Sequence, residues 1–352
     1  MNRSPLFYRL ARCRRCFLPT ARHALLASAL LATGLLATGL PGMAAPTAEK
    51  AAPPLTIAVA TLPYSLGFFV ADAKNYFAQE GLKVNLVDCF PGRKCLGMML
   101  EGKAQMATVA DAPIMVTSFQ RNDFSVVATV AKSPNDVQIV VRKSAGIGKP
   151  AQLAGKRVGV AKGTSSDYYL NAYLLYNGID PATVSQVNVD ANNLATAIAR
   201  HEVDAISAFE PSVSQAKTLL AGDAVQLHNP KIYTVTFNLV AASNFIGVGD
   251  DQIMRLLRAL NRAREFIETE PAAAKKLMQE RLHLDPATVA TLFPSMEFQL
   301  GLDQTFIKTL ESEARWYARQ PDAVGKKPAN YLNFIYPIPL SKINPSAITL
   351  LK

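Results

Sequence analysis

Histidine, cysteine and tryptophan are scarce in this 352-residue chain, which has four histidines, four cysteines and one tryptophan. His23, Cys13 and Cys16 fall in the first 44 residues, so only His201, His228, His283, Cys89 and Cys95 remain beyond them. Three histidines without ligand spacing give no basis for a catalytic or structural metal site. There is no G-x-S-x-G elbow, no Ser/His/acid signature and no dinucleotide fingerprint. Nothing in the chain calls for a cofactor or for catalysis. The first 45 residues hold no acidic side chain, and the rest of the chain holds no basic run, which argues against nucleic acid as a partner.

What the front of the chain does contain sets the expected compartment. Arg3, Arg9, Arg12, Arg14, Arg15 and Arg22 precede a small and apolar run from Ala24 to Leu40, and Gly42-Met43-Ala44 offers a small-x-small cleavage site. This is the pattern of a secretory signal peptide over 1–44, followed by an Ala/Pro linker over 45–53. The run is short for a membrane span, and no cysteine at the cleavage site indicates a lipid anchor. Arg14-Arg15-Cys16-Phe17-Leu18 resembles a twin-arginine export signal, and chance clustering of arginines explains it equally, so the general secretory and twin-arginine routes both stay open. The expected location is the periplasm. Loss of six arginines takes Lys+Arg from 37 to 31 against 27 Asp+Glu, a net charge of +4 in place of +10. Cys89 and Cys95 then stand alone in an oxidising setting. They are expected to pair as a disulfide closing a small loop, worth about 2 kcal/mol, the alternative being two separately buried thiols.

Past the linker, short apolar strands alternate with amphipathic helices. Strands are expected at 56–60, 83–87, 105–110, 126–130 and 137–141, with helices over 66–79 and 95–101 and one opened by Asp111-Ala112-Pro113. The pattern restarts with strands 157–160, 184–189 and 204–208 and helices 166–176, 192–200 and 211–220, which read as a second, parallel sheet. An extended run over 233–242 precedes helices near 250–268, 271–281, 286–293 and 303–319. Two α/β series indicate two lobes with a ligand cleft between them.

Open α/β sheets bind ligands at the carboxyl ends of their strands. Here those ends read Thr61-Leu62-Pro63-Tyr64-Ser65, Asp88-Cys89-Phe90-Pro91-Gly92-Arg93, Asp111-Ala112, Lys162-Gly163-Thr164-Ser165-Ser166, Asp190-Ala191-Asn192 and Phe209-Glu210-Pro211. The fourth looks like a phosphate loop with its lysine on the wrong side of the glycine. Gly163, Thr164, Ser165 and Ser166 could cradle an anionic head at a helix N-terminus, or serve only as its cap. Arg93 could grip a sulfonate or carboxylate in a bidentate pair, or be a solvated loop arginine. Glu210 could accept from a ligand N–H, or cap the helix that Pro211 begins. Asp111 has the same two readings. Tyr64, beside Ser65, and Phe209 could stack on a ligand or belong to the core.

The stretches "YFAQEGLKVNLV", "LEGKAQMATVADAP", "LAGKRVGVAKGTSS" and "IARHEVDAISAFEP" together resemble successive signatures of one family, from about residue 55 to about 270. It is the family of extracytoplasmic solute-binding proteins of bacterial ABC importers for aliphatic sulfonates, taurine, nitrate and thiamine-pyrimidine precursors. The resemblance implies the two-lobed periplasmic-binding-protein fold (type II), with residues 54–142 and 240–352 in lobe 1 and residues 143–239 in lobe 2. It implies a monomer that closes on a small anionic or zwitterionic organic solute by hinge motion and presents it to a membrane permease. The candidate ligand residues are Tyr64, Ser65, Arg93, Asp111, Gly163, Thr164, Ser165, Ser166 and Glu210. The loop from Cys89 to Cys95 departs from the small residues and glycines that relatives often carry there. Two other functions are open to the same fold: a thiamine-pyrimidine synthase, whose cysteine-rich iron motif and histidine this chain lacks, and a sensor that presents ligand to a membrane receptor.

Overall fold

The computed structural model describes residues 53–351. The expected signal peptide, most of the expected linker, and Cys13 and Cys16 lie outside the described residues. Twelve strands are described: β1 Leu55–Ala60, β2 Val84–Cys89, β3 Met106–Ala110, β4 Phe124–Ser133, β5 Gln138–Arg142, β6 Arg157–Val160, β7 Ser185–Asn188, β8 Ala205–Ala208, β9 Ala224–Leu227, β10 Val235–Ala242, β11 Glu297–Asp303 and β12 Ile348–Thr349. They form a seven-stranded sheet in the order β12-β11-β4-β10-β3-β1-β2 and a five-stranded sheet in the order β7-β6-β8-β5-β9.

β5 and β10 have both faces covered, although Gln138, Arg142, Thr236 and Asn238 interrupt their apolar runs. Every residue of β5 is buried, as are the first seven of β10. β10 lies antiparallel between β3 and β4, and β5 lies antiparallel between β8 and β9. The chain therefore leaves the first sheet after β4, builds the second from β5 to β9, and returns with β10. This places 138–142 in the five-stranded sheet and 235–239 in the seven-stranded one, a few residues from the lobe boundaries read from the sequence. Those boundaries were implied by the resemblance, whereas pairing assigns a strand by its neighbours. The second sheet is also mixed, since β6, β7 and β8 are parallel and β5 runs antiparallel to both its neighbours, β8 and β9.

Most helices follow apolar periodicity. Ile253, Leu256, Leu257, Leu260, Ala263 and Ile267 form the buried stripe of the helix Asp250–Thr269. The expected helix over 66–79 is instead two, Leu66–Ala73 and Tyr76–Gln79, parted at Asn75 by a left-handed residue with φ 58°. β9, β11 and β12 fall where no strand was expected. In β11 the register shifts between Phe298 and Gly301, and a Cβ on Gly301 would lie 3.3 Å from the Ala347 carbonyl oxygen. This bulged strand has no clean period-2 pattern to read. Cys89 and Cys95 form the expected disulfide, with Cα atoms 5.5 Å apart.

Candidate ligand cleft

The carboxyl end of β1 turns through a single 3-10 turn, Pro63–Ser65. The turn lays the Tyr64 ring on Phe237, with centroids 5.1 Å apart and planes 16° from parallel. The Tyr64 hydroxyl and the Ser65 Oγ are both buried without a hydrogen-bond partner. β2 ends at the disulfide, and the helix Gly92–Leu100 follows at once. A side chain at Gly92 would bring its Cβ within 3.3 Å of the Val109 Cα, so glycine lets this helix start directly against β3. Arg93, in the first turn, reaches the other sheet, where its Nη1 donates to the Lys162 carbonyl oxygen at 2.8 Å.

The loop after β6 is built to receive it. Gly163 has φ +72°, which favours glycine, and a Cβ there would sit 3.1 Å from Arg93 Nη1 and press on the guanidinium. The Thr164 Oγ1 donates to the Ala161 carbonyl at 2.7 Å and accepts from the Ser166 N–H at 3.3 Å, capping the helix Ser165–Tyr176. The Ser166 hydroxyl accepts from the Ala161 N–H at 3.1 Å. Lys162 turns back into its own sheet, pairing with Asp167 at 2.9 Å and donating to Gln186 at 2.7 Å. The misplaced lysine of the phosphate-like loop is thus an internal ion pair.

Loops from both sheets enclose one cavity, with Leu62, Tyr64, Arg93, Asp136, Thr164, Ser165, Phe209 and Phe237 in its lining. Its free volume is 20 Å³, room for about one water molecule. Little free space is left in the cleft in this conformation. Arg93 also borders two larger open grooves of 770 and 460 Å³, so one guanidinium is shared by the cavity and both grooves.

Four expected residues therefore meet in the cavity: Tyr64, Arg93, Thr164 and Ser165. Ser65, Asp111, Gly163, Ser166 and Glu210 do not line it. Asp111 is wholly buried and accepts from the Ala112 N–H at 2.9 Å, the Thr236 N–H at 2.8 Å, the Thr236 hydroxyl at 3.0 Å and the Tyr233 hydroxyl. Burial raises its carboxyl above the usual range against the pull of those donors. The Tyr233 hydroxyl also lies 3.1 Å from Glu313 Oε1, and burial raises the Glu313 carboxyl well above normal. The Glu210 Oε2 accepts from the Ser214 N–H at 3.1 Å, which is the helix-capping reading of that residue.

Asp136 was not among the sequence candidates. It lies between β4 and β5 in "SPNDVQ", which reads as an ordinary turn, and only the transfer of β5 to the second sheet makes it a crossing point. Burial pushes its carboxyl up to about 8. The nearby Glu210 charge adds to this, while the Glu210 backbone N–H and the Tyr64 hydroxyl work against it. Among the described residues no three His, Cys, Asp or Glu side chains gather as a metal site.

Two sheets, two crossings and a closed cavity at the strand ends define the two-lobed periplasmic-binding-protein fold. The chain belongs to the NMT1/THI5-like family, whose model matches residues 62–274, more than half of the chain. It is 30% identical over 146 residues to the taurine-binding periplasmic protein of Escherichia coli (strain K12), a match spanning 41% of this chain and 45% of that protein. It is 26% identical over 260 residues to a Bacillus subtilis (strain 168) protein named as a candidate aliphatic sulfonates-binding protein, covering 72% of this chain and 76% of the other. The alkanesulfonate-binding protein SsuA from Xanthomonas axonopodis pv. citri, solved with MOPS bound, superposes with a TM-score of 0.71 at 22% identity, over 83% of this chain and 100% of that one. That likeness concerns the fold alone.

Proposed function

We propose that this chain is the extracytoplasmic solute-binding component of an ABC importer, a monomeric periplasmic protein without catalytic activity. It captures a small anionic or zwitterionic organic solute, of sulfonate or taurine type, and delivers it to a membrane permease. The observation that carries this reading is the cavity enclosed by strand-end loops of both sheets and spanned by the Arg93–Lys162 hydrogen bond. A cavity shared by two sheets joined by only two crossings is what lobe closure around a ligand requires. The lobes would meet at 134–137 and 228–234, with residues up to 133 and beyond 234 in lobe 1. Arg93, Tyr64, Thr164 and Ser165 would make the ligand contacts, the guanidinium and the helix N-terminus facing the anionic end.

The names of the relatives support a sulfonate-type solute, and the leader pattern supports the periplasm. Calorimetric titration of the chain beyond Ala44 with sulfonates, taurine, nitrate and pyrimidines tests the proposal. One class should bind and raise the melting temperature. Absence of binding by every class would overturn it.

A further inference from the structure

We propose that Asp136 seats a cationic nitrogen of the solute, between walls formed by Tyr64, Phe209 and Phe237, so that the solute is an amino-bearing acid and not a plain sulfonate or nitrate. The inference rests on the solute-binding reading above and adds a chemical demand to it.

Asp136 is 9% exposed and is the one carboxylate in the lining of the enclosed cavity. None of the ion pairs among the described residues involves it. The charges that bear on it are those of Glu210 and Asp111, both acidic. Arg93 shares the cavity, but its Nη1 is spent on the Lys162 carbonyl. A buried carboxylate among acids and apolar groups is costly when ionised, and a cation supplied from outside removes that cost.

The walls favour the same guest. Tyr64, Phe209 and Phe237 all line the cavity, and the faces of aromatic rings attract ammonium groups, methylated ones included. The Tyr64 hydroxyl is buried beside Asp136 and makes no hydrogen bond of ordinary geometry, so its oxygen offers an acceptor to an N–H. Arg93 and Ser165, in the same lining, suit an anion.

Protons follow from the arrangement. With Glu210, Asp111 and Tyr64 facing it and no cation paired with it, Asp136 holds its proton up to about pH 8 in the solute-free protein. A bound ammonium lowers that value, so binding near neutral pH releases roughly one proton.

The test is calorimetry of the wild-type protein and Asp136→Asn with four probes. Taurine and its N-trimethyl derivative carry the cation; isethionate and nitrate do not. We expect the wild type to prefer the first pair, and Asp136→Asn to weaken that pair by roughly 10- to 100-fold more than it changes isethionate or nitrate. Repeating the wild-type titration in buffers of different ionisation heat should show proton release with taurine, a readout that needs no variant to fold. Equal weakening of all probes, or no proton release, overturns the ammonium seat. A wild type that binds only amine-free anions also overturns it and leaves the solute-binding reading standing. A wild type that binds nothing overturns both.

Discussion

Asp111 and Asp136 are both buried carboxylates beside the cleft, and they differ in what meets them. Asp111 is surrounded by the backbone and hydroxyl of Thr236, the backbone of Ala112 and the hydroxyl of Tyr233. Asp111→Ala would leave those donors buried without an acceptor, at a cost of about 3 kcal/mol. Urea denaturation should show that loss while solute affinity per folded molecule is kept. A midpoint equal to wild type would mean the donors find other partners.

Asp136 lacks such a shell, and its effect on stability depends on pH. Its folded carboxyl is raised to about 8 from about 3.9 in the unfolded chain. The folded protein therefore binds the extra proton between those values. The contribution is fully present below about pH 4 and is lost as pH rises through about 8, with a slope of up to about 1.4 kcal/mol per pH unit. Denaturation midpoints of the solute-free protein should fall between about pH 4 and pH 8, and Asp136→Asn should flatten that fall. The raised carboxyls of Asp111, Glu210 and Glu313 act in the same direction, so part of the slope remains in the variant.

At the scale of elements, the N-terminus of the helix Ser165–Tyr176 divides its work between neighbouring residues. Both Thr164 and Ser165 line the cavity, but the Thr164 hydroxyl is bonded to the backbone on both sides. Thr164→Ala should lower stability by about 1 kcal/mol, the usual worth of an N-cap. Ser165→Ala should leave the denaturation midpoint in place and weaken solute binding. If the two variants exchanged these phenotypes, the assignment of cap and contact would be reversed. This helix and β6 before it were legible in the sequence because an apolar run, a glycine, small hydroxyls and a 3.6 period agree with one another there. The bulged β11 was not, since its pattern follows from a neighbour about fifty residues away at Ala347. Asp136 was hidden for the same reason: its turn is local, but its place at a crossing depends on which sheet β5 joins. Asp111 and Glu210 stand at strand ends as ligand residues would, and their side chains are taken by Tyr233, Thr236 and Ser214. Sequence position locates a strand end without telling where its carboxylate points.

For the whole molecule, the question is what holds the two sheets closed over a cavity of 20 Å³. Arg93 comes from the seven-stranded side, inside the loop closed by the Cys89–Cys95 disulfide, and its Nη1 donates to a carbonyl on the five-stranded side. Gly163 leaves just the space the guanidinium occupies. A hydrogen bond of this kind at a partly exposed site is worth about 1 kcal/mol, a roughly fivefold bias between closed and open forms. Arg93→Ala should therefore shift the solute-free protein toward the open form, seen as a larger radius of gyration in small-angle scattering and as faster solute association in stopped flow. Gly163→Ala acts from the other side of the same contact, through both the strain at φ +72° and the crowding of Arg93, and should move scattering and kinetics the same way. Both variants keep the Thr164 cap and the Asp111 shell, so their urea midpoints should change less than that of Asp111→Ala. If scattering and association rates match wild type in both variants, the Arg93–Lys162 bond is a consequence of closure, and the force holding the lobes together lies in the packing around the crossings, where Tyr233 binds into Asp111 and Glu313.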